Sequence, residues 1–194
     1  MSKAMAVLGH ATAVDLAALP PGTRAEVVAG EVVDKASPSF EHGDAQGVLV
    51  GVLAPFRRRA GGPGPGGWWL GTEIEIELET HEVYVPDLVG WRRERVPERP
   101  TGRPIRTRPD WVCEILSPST AARDLVSKHR TLHRCGVPHY WVIDPERETL
   151  TVQRWQEHGY LVVVTAGRSD VVHAEPFEAT ELRVGLLFGD EPEA

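Results

Sequence analysis

Lys128 falls where an amphipathic helix would carry an apolar residue. Over residues 119–135, helical spacing places Ala121, Leu125, Leu132 and Cys135 on one stripe with Lys128 at its centre. A cation on an inner stripe needs an anionic partner, and the strand-like run from Asp110 to Leu116 offers one. Strand alternation points Asp110, Val112, Glu114 and Leu116 one way and Trp111, Cys113 and Ile115 the other, so Glu114 stands mid-strand among hydrophobic neighbours. Pro86-Asp87 opens another such run and supplies a second carboxylate. Two carboxylates and a lysine on neighbouring elements can hold a divalent cation and activate water beside a phosphate. The same residues could instead form a plain buried Glu114–Lys128 ion pair, and spacing alone leaves both readings open. A surface pair between Asp124 and Lys128, four apart on the helix, is a third arrangement; the inner stripe disfavours it.

The elements that must position these groups follow from periodicity and breakers. Residues 1–23 read as an N-terminal arm or short helix ended by Pro20-Pro21-Gly22. Glu26 to Val33 reads as two short strands around an Ala-Gly turn. A helix is expected from about Ser39 to Ala54, with Phe40, Val48, Leu49 and Val52 as its apolar surface and Gly43, Gly47 and Gly51 as a smooth flank for close packing. Trp68 to Leu78 alternates as a half-buried strand, and Val83 to Trp91 reads as the next. The arginine-, glycine- and proline-rich segment 57–67 and the proline-punctuated segment 92–109 read as surface loops. Asp110 to Leu116 is the third strand, and Ser117-Pro118-Ser119-Thr120 supplies the cap of the helix that ends near Gly136. His139 to Ile143 is a fourth strand. Thr149 to Trp155 and Tyr160 to Thr165 form a hairpin, and a weak element spans Glu181 to Phe188. One domain over 24–188 is expected, with an acidic tail at 189–194.

Composition narrows the function. Apolar residues make up 41% and charged residues 25% of the 194, ordinary for a globular chain, and no stretch approaches the ~20 apolar residues needed to cross a bilayer. His10 and Asp15 interrupt any signal-peptide core, so cytoplasmic residence is expected. The two cysteines, Cys113 and Cys135, fit no disulfide framework and read as reduced thiols. A net charge of −7 weighs against a broad nucleic-acid footprint. Clusters at Arg57-Arg58-Arg59, Arg92-Arg93 with Arg95, and Arg99 to Arg108 offset it locally, and carboxylates around a metal site would themselves depress the total.

Lesser candidates have structural alternatives. His129 and His133 have the i, i+4 spacing that can bind zinc, but no general-base glutamate lies between them and packing at a helix boundary is the simpler reading. Trp68, Trp69, Trp91 and Trp111 could stack on bases, yet core packing accounts for them more simply. Glu73 and Glu75 could feed a metal site or form a solvated strand face.

Four segments together resemble a known family: Val85-Pro86-Asp87-Leu88-Val89; Pro109 to Thr120; Asp124-x-x-x-Lys128; and Gly136-Val137-Pro138-His139-Tyr140-Trp141-Val142-Ile143-Asp144-Pro145. They resemble the Uma family of bacterial restriction-endonuclease-like proteins, similar to a branch of the PD-(D/E)XK nuclease superfamily. The resemblance covers roughly Arg24 to Tyr160. It implies an α/β fold of the α+β type, with a restriction-endonuclease-like core of helix, three strands, helix and strand, a mixed central sheet flanked by helices, and extra hairpins. It further implies that Asp87 and Glu114 bind Mg²⁺, with Mn²⁺ as a substitute, and that Lys128 is the catalytic lysine. The residue two after Glu114 is Leu116, where the superfamily motif has lysine, so the resemblance implies a lysine moved to the following helix. A backbone carbonyl from Ile115 could complete the metal set. Glu31 and His42, at family-like positions, and Glu73 are secondary cleft candidates; a strand-end glutamate and a helix-start histidine also serve as solvent-facing or capping residues.

The expected activity is metal-assisted hydrolysis of DNA phosphodiester bonds by a homodimer that needs no small organic cofactor. The alternative is a nuclease fold without catalysis, acting as a binding or dimeric interaction module. Recognition sequence and strand preference are not legible.

Overall fold

The computed structural model describes residues 10–61, 64–118, 121 and 123–191, the side chains of residues 123 and 124 excepted. Helix α1 (Ala13–Ala17) begins at Thr12, whose hydroxyl accepts the Val14 N–H while Asp15 accepts the Thr12 N–H, a reciprocal cap. Strands β1 (Ala25–Val28) and β2 (Glu31–Asp34) pair around Ala29 and Gly30, at φ of 50° and 77°. Positive φ at both turn residues matches the turn to the strand twist. Helix α2 (Phe40–Leu53) starts where Ser39 accepts the His42 N–H at 3.3 Å and buries Ala45, Leu49 and Leu53. Two expectations for this helix are corrected. Phe40, in its first turn and clear of the sheet, is 83% exposed, and Gly43, Gly47 and Gly51 face open space, where an added Cβ would meet nothing within 4 Å.

The two long alternating runs are each broken in two. Strand β3 (Trp68–Thr72) gives way to β4 (Ile76–Glu79) through Glu73, at φ 53°, and β5 (Glu82–Tyr84) is separated from β6 (Leu88–Arg92) by Val85-Pro86-Asp87. Strands β4 and β5 join the small sheet in the order β2-β1-β5-β4, whereas β3 and β6 belong to the large one. Strands β3 and β4 are both partly buried and β5 and β6 both almost wholly buried, so the apolar pattern of each run continues on either side of its break.

Next come β7 (Trp111–Ile115), a π-helical segment at Arg123–Lys128, α3 (His129–Arg134) and β8 (His139–Asp144). Strands β7 and β8 run parallel, and the helical segment is the crossover that a parallel pair requires. The hairpin of β9 (Thr149–Gln156) and β10 (Gly159–Gly167) completes the large sheet, in the order β10-β9-β8-β7-β6-β3. A ribbon of β11 (Val171–Val172) and β12 (Leu182–Arg183) and a 3₁₀ turn at Val184–Phe188 follow. The architecture is α+β with a mixed central sheet, as expected. The helical stripe is corrected: the wider i→i+5 turn rotates the residues before Lys128 out of phase, leaving Leu125 45% exposed while Lys128 and Leu132 are buried. The expected cap residues Ser119 and Thr120, and the Asp124 side chain, lie outside the described residues. Gly136, at φ 69°, ends the crossover.

The large sheet buries both faces. On one, α2 and the C-terminal segment cover Trp111, Cys113, Ile115 and Trp141, with Trp111 edge-on to Trp141 at 5.5 Å and to Phe177 at 4.9 Å. Each such aromatic contributes about 1.5–3 kcal/mol by burial. On the other face, Val112, Leu116 and Val142 meet the small sheet and α3 through Val28, Ile76, Tyr84 and Leu132. This matches the facing read from the alternation of residues 110–116.

Several members of the arginine clusters are engaged within the chain. Arg93 donates to the carbonyls of Trp68 and Arg57 and lies 3.6 Å over the Trp69 ring. Arg95 forks onto Asp110 at 2.7 and 2.9 Å. Arg103 and Arg106 pair with Glu75 and Glu77, each at 2.9 Å. The glutamates before and within β4 are therefore clamped by the 92–109 loop rather than solvated or turned toward a metal, and Ile105, bonded to Glu75 and Glu77 through the backbone, anchors that loop. Among the described residues, no helix is long and apolar enough to cross a membrane.

Candidate active site

Strand register brings the two carboxylates together. The β6–β7 ladder pairs Leu88 with Cys113 and Val89 with Val112, so Asp87, one residue before β6, falls beside Glu114 near the end of β7. Asp87 occupies the passage where the chain crosses from the small sheet to the large one, a point fixed from three sides. Its Oδ2 accepts the Ile115 N–H at 2.7 Å, its carbonyl accepts Gln46 Nε2 at 2.8 Å, and its Oδ1 lies 2.9 Å from Lys35 Nζ and 3.3 Å from His42 Nε2. His42 and Gln46 stand one turn apart on α2 and therefore share a face. Lys35 follows β2 directly and reaches back across to the Val85 carbonyl as well.

Glu114 faces the small sheet. Lys128, the last residue of the π-helical segment, places its Nζ 2.9 Å from Glu114 Oε1 and 2.8 Å from Glu26 Oε1, with the Tyr84 ring 5.5 Å away. Glu26 Oε1 also accepts the Val85 N–H at 2.7 Å. The Lys128, Glu114 and Glu26 side chains are no more than 3% exposed. Charges taken out of water this completely cost several kcal/mol each and persist only where opposite charge and hydrogen bonds compensate.

Burial alone would raise the pKa of Asp87, but the hydrogen bond from His42 and the charge of Lys35 outweigh it and hold the carboxyl below its usual range. Burial works against the Lys35 ammonium too, and Glu114 and Asp87 reverse that effect, keeping its pKa above the ordinary lysine value. Both groups are ionised at neutral pH.

Glu26, Lys35, His42, Asp87, Glu114 and Lys128 line a pocket of about 20 Å³, room for roughly one water or ion. It shares Ala36, Ser37, His42 and Ser117 with a groove of about 520 Å³ bordered by Glu41, Pro118 and Glu146. The donors are hard carboxylate oxygens with neither thiolate nor a histidine cluster. Mg²⁺ takes one or two carboxylates, keeps several waters and uses substrate oxygens for the rest, so the residues fit that ion. Among the described residues, no three His, Cys, Asp or Glu side chains form a ready-made metal cage; Mg²⁺ bound through two carboxylates and water does not require one.

Of the residues singled out from the sequence, Asp87, Glu114, Lys128, His42 and Ile115 line this pocket. The bond Ile115 makes to the site is through its N–H. Glu73 stands at the edge, 3.6 Å from Lys35 and 2.9 Å from Arg24. Glu31 does not reach the site: it is exposed at the start of β2, and the glutamate of that hairpin that points inward is Glu26. Glu26 carried the same signal as Glu114, a carboxylate inside a hydrophobic strand. Lys35, in a polar stretch before Ser37-Pro38, carried none. His129 and His133 turn to separate partners, Gln153 Oε1 at 2.9 Å and the Gln156 carbonyl at 2.7 Å.

A family model, Uma2, described as "Putative restriction endonuclease", matches residues 13–185. Among solved structures, the chain is similar to a "putative nuclease belonging to DUF820" from Anabaena variabilis, with a TM-score of 0.67, 24% identity, and coverage of 91% of this chain and 97% of that one. At that identity the likeness speaks for the fold. No curated protein matches the chain.

Proposed function

The chain belongs to the Uma2 family, described as "Putative restriction endonuclease", and on that premise we propose that it is a cytoplasmic Mg²⁺-dependent endonuclease hydrolysing phosphodiester bonds of DNA, with Mn²⁺ as a working substitute. The observation that carries the reading is the meeting of Asp87, Glu114 and Lys128 in one ion-sized pocket that shares lining residues with a groove. Asp87 and Glu114 would hold the ion, which when bound supplies charge neutralisation at the phosphate and a lowered pKa for bound water.

The chain's own groups do the rest. Glu26 fixes the Lys128 ammonium at 2.8 Å, so a positive charge stands ready beside the scissile phosphate without reorganisation. Gln46 holds the Asp87 backbone, and the Ile115 N–H fixes the rotation of the carboxylate, leaving Oδ1 toward the pocket. His42 steadies that oxygen from α2. Cutting both strands of a duplex calls for two such sites, which makes a homodimer part of this reading. The test is nicking of supercoiled plasmid in Mn²⁺: the wild type converts it to open circle, Glu114→Gln does not, and equal activity in both removes the assignment.

A second reading, a nuclease fold that binds without cutting, draws support from one observation: all three pocket carboxylates, Glu26, Asp87 and Glu114, are bonded to lysines, and the adjoining groove is bordered by Glu41 and Glu146. Binding of DNA with no cleavage in any divalent metal would favour it.

A further inference from the structure

Asp87 and Glu114 are each held by a lysine, and each of those lysines has a second carboxylate beside it. Glu114 is 2.9 Å from Lys128, which is 2.8 Å from Glu26. Asp87 is 2.9 Å from Lys35, which is 3.6 Å from Glu73. Asp87 Oδ2 accepts the Ile115 N–H at 2.7 Å, which fixes the rotation of the carboxylate. Its other oxygen, Oδ1, is held by Lys35 at 2.9 Å, with His42 at 3.3 Å. A divalent ion bound to this carboxylate and the Lys35 ammonium on it compete, since like charges a few ångströms apart repel strongly in a buried site.

The second carboxylates, Glu26 and Glu73, differ. Glu26 already bonds Lys128 and is 1% exposed, so Lys128 keeps its anion without moving. Glu73 lies just beyond hydrogen-bond reach of Lys35, at 3.6 Å, and is 33% exposed. Its backbone takes the left-handed φ of 53°, and its N–H is bonded to the Asp87 carbonyl at 3.3 Å, which sets the Glu73 side chain next to Asp87. Arg24 holds the other Glu73 oxygen at 2.9 Å. A lysine stem is flexible enough for its ammonium to swing between two adjacent carboxylates.

Resting on the metal-site reading above, we propose that Lys35 is a resident cation in the metal position, and that divalent-ion binding transfers its ammonium from Asp87 to Glu73. Lys35 is thereby a positioning residue that sets the metal concentration at which the site fills. With the ion absent, it neutralises Asp87 and keeps the site assembled. With the ion present, it stands beside Glu73 at the rim.

The test is Mn²⁺ binding by the full chain, followed by electron paramagnetic resonance of free Mn²⁺, with thermal melts to verify folding. Lys35→Met is expected to bind Mn²⁺ about tenfold more tightly than the wild type, as removal of a competing unit charge at contact distance requires. Glu73→Gln is expected to weaken binding in the wild-type background, where Lys35 loses its receiving anion, and to have a much smaller effect in the Lys35→Met background. Unchanged or weaker binding in Lys35→Met, or an equal effect of Glu73→Gln in both backgrounds, overturns the proposal while leaving the metal site in place. Should Lys35→Met fail to fold, unchanged affinity in Glu73→Gln overturns it alone. Absence of Mn²⁺ binding in the wild type and both variants overturns the proposal together with the reading beneath it.

Discussion

Lys128 and Glu26 are 102 residues apart in sequence and 2.8 Å apart in space. This contact ties the first hairpin to the crossover after β7 and brings a third carboxylate into the centre. Its removal should register first in stability. Lys128→Met leaves the buried Glu26 and Glu114 carboxylates without the ammonium between them, at an expected cost of about 3–5 kcal/mol. Adding Glu26→Gln should recover part of that loss. Urea denaturation measures both, and a Lys128→Met protein as stable as the wild type would contradict this view of the triad.

Two buried aspartates flank the central strands with different duties. Asp110 receives the fork of Arg95 and the Arg92 N–H at 2.7 Å, at the end of β6 and β7 away from Asp87. Asp110→Ala should lower stability by roughly 2–3 kcal/mol through loss of charge-assisted bonds and leave Mn²⁺ affinity unchanged in the protein that remains folded. Asp87→Asn should do the reverse in emphasis, abolishing Mn²⁺ binding. Calorimetric titration of the two variants side by side separates the roles.

Stability should fall on mild acidification through His139. Burial, with the charges of Arg92 and Arg154 alongside, lowers its pKa to about 4 from 6.5. The unfolded chain therefore takes up a proton that the folded chain refuses between those values. The contribution is present in full above pH 6.5 and is lost as pH falls toward 4, worth up to about 3 kcal/mol. His139→Gln should flatten the melting temperature across that window. Asp87, with its depressed pKa, is stabilising above the ordinary carboxylate range and loses that contribution only as pH drops below it, so the two effects separate along the pH axis.

Packing sets a limit at Gly90. It lies in the middle of β6, and a Cβ there would come within 2.7 Å of Leu70 Cδ2, 3.2 Å of Trp68 and 3.3 Å of Trp111. Gly90→Ala should cost about 1–3 kcal/mol by overpacking. A thermal melt indistinguishable from wild type would show that these side chains yield more easily than their distances imply.

What the sequence revealed was what local periodicity can encode. The α2 helix, the β1–β2 and β9–β10 hairpins and the two faces of β7 each repeat within a few residues, and the structure has them where the pattern put them. Asp87, Glu114 and Lys128 were visible because each breaks a hydrophobic pattern at a place where an unpaired charge is costly. That the chain changes sheets at Glu73 and at Val85-Pro86-Asp87 was not visible, because the apolar pattern resumes on the far side of each break and says nothing of which sheet it belongs to. The π-helical turn hid in the same way, as no residue type marks it. Lys35 sits in a polar stretch that reads as surface; only the return of β2 along the small sheet carries its ammonium to Asp87.

The central claim concerns where one ion sits. Crystals grown in Mn²⁺ and measured at the manganese absorption edge locate it directly. The account predicts one anomalous peak in the pocket, in contact with Asp87 Oδ1 and Glu114 and adjacent to Lys128. A peak elsewhere, or none at saturating Mn²⁺ with Lys35 still bonded to Asp87, would contradict it.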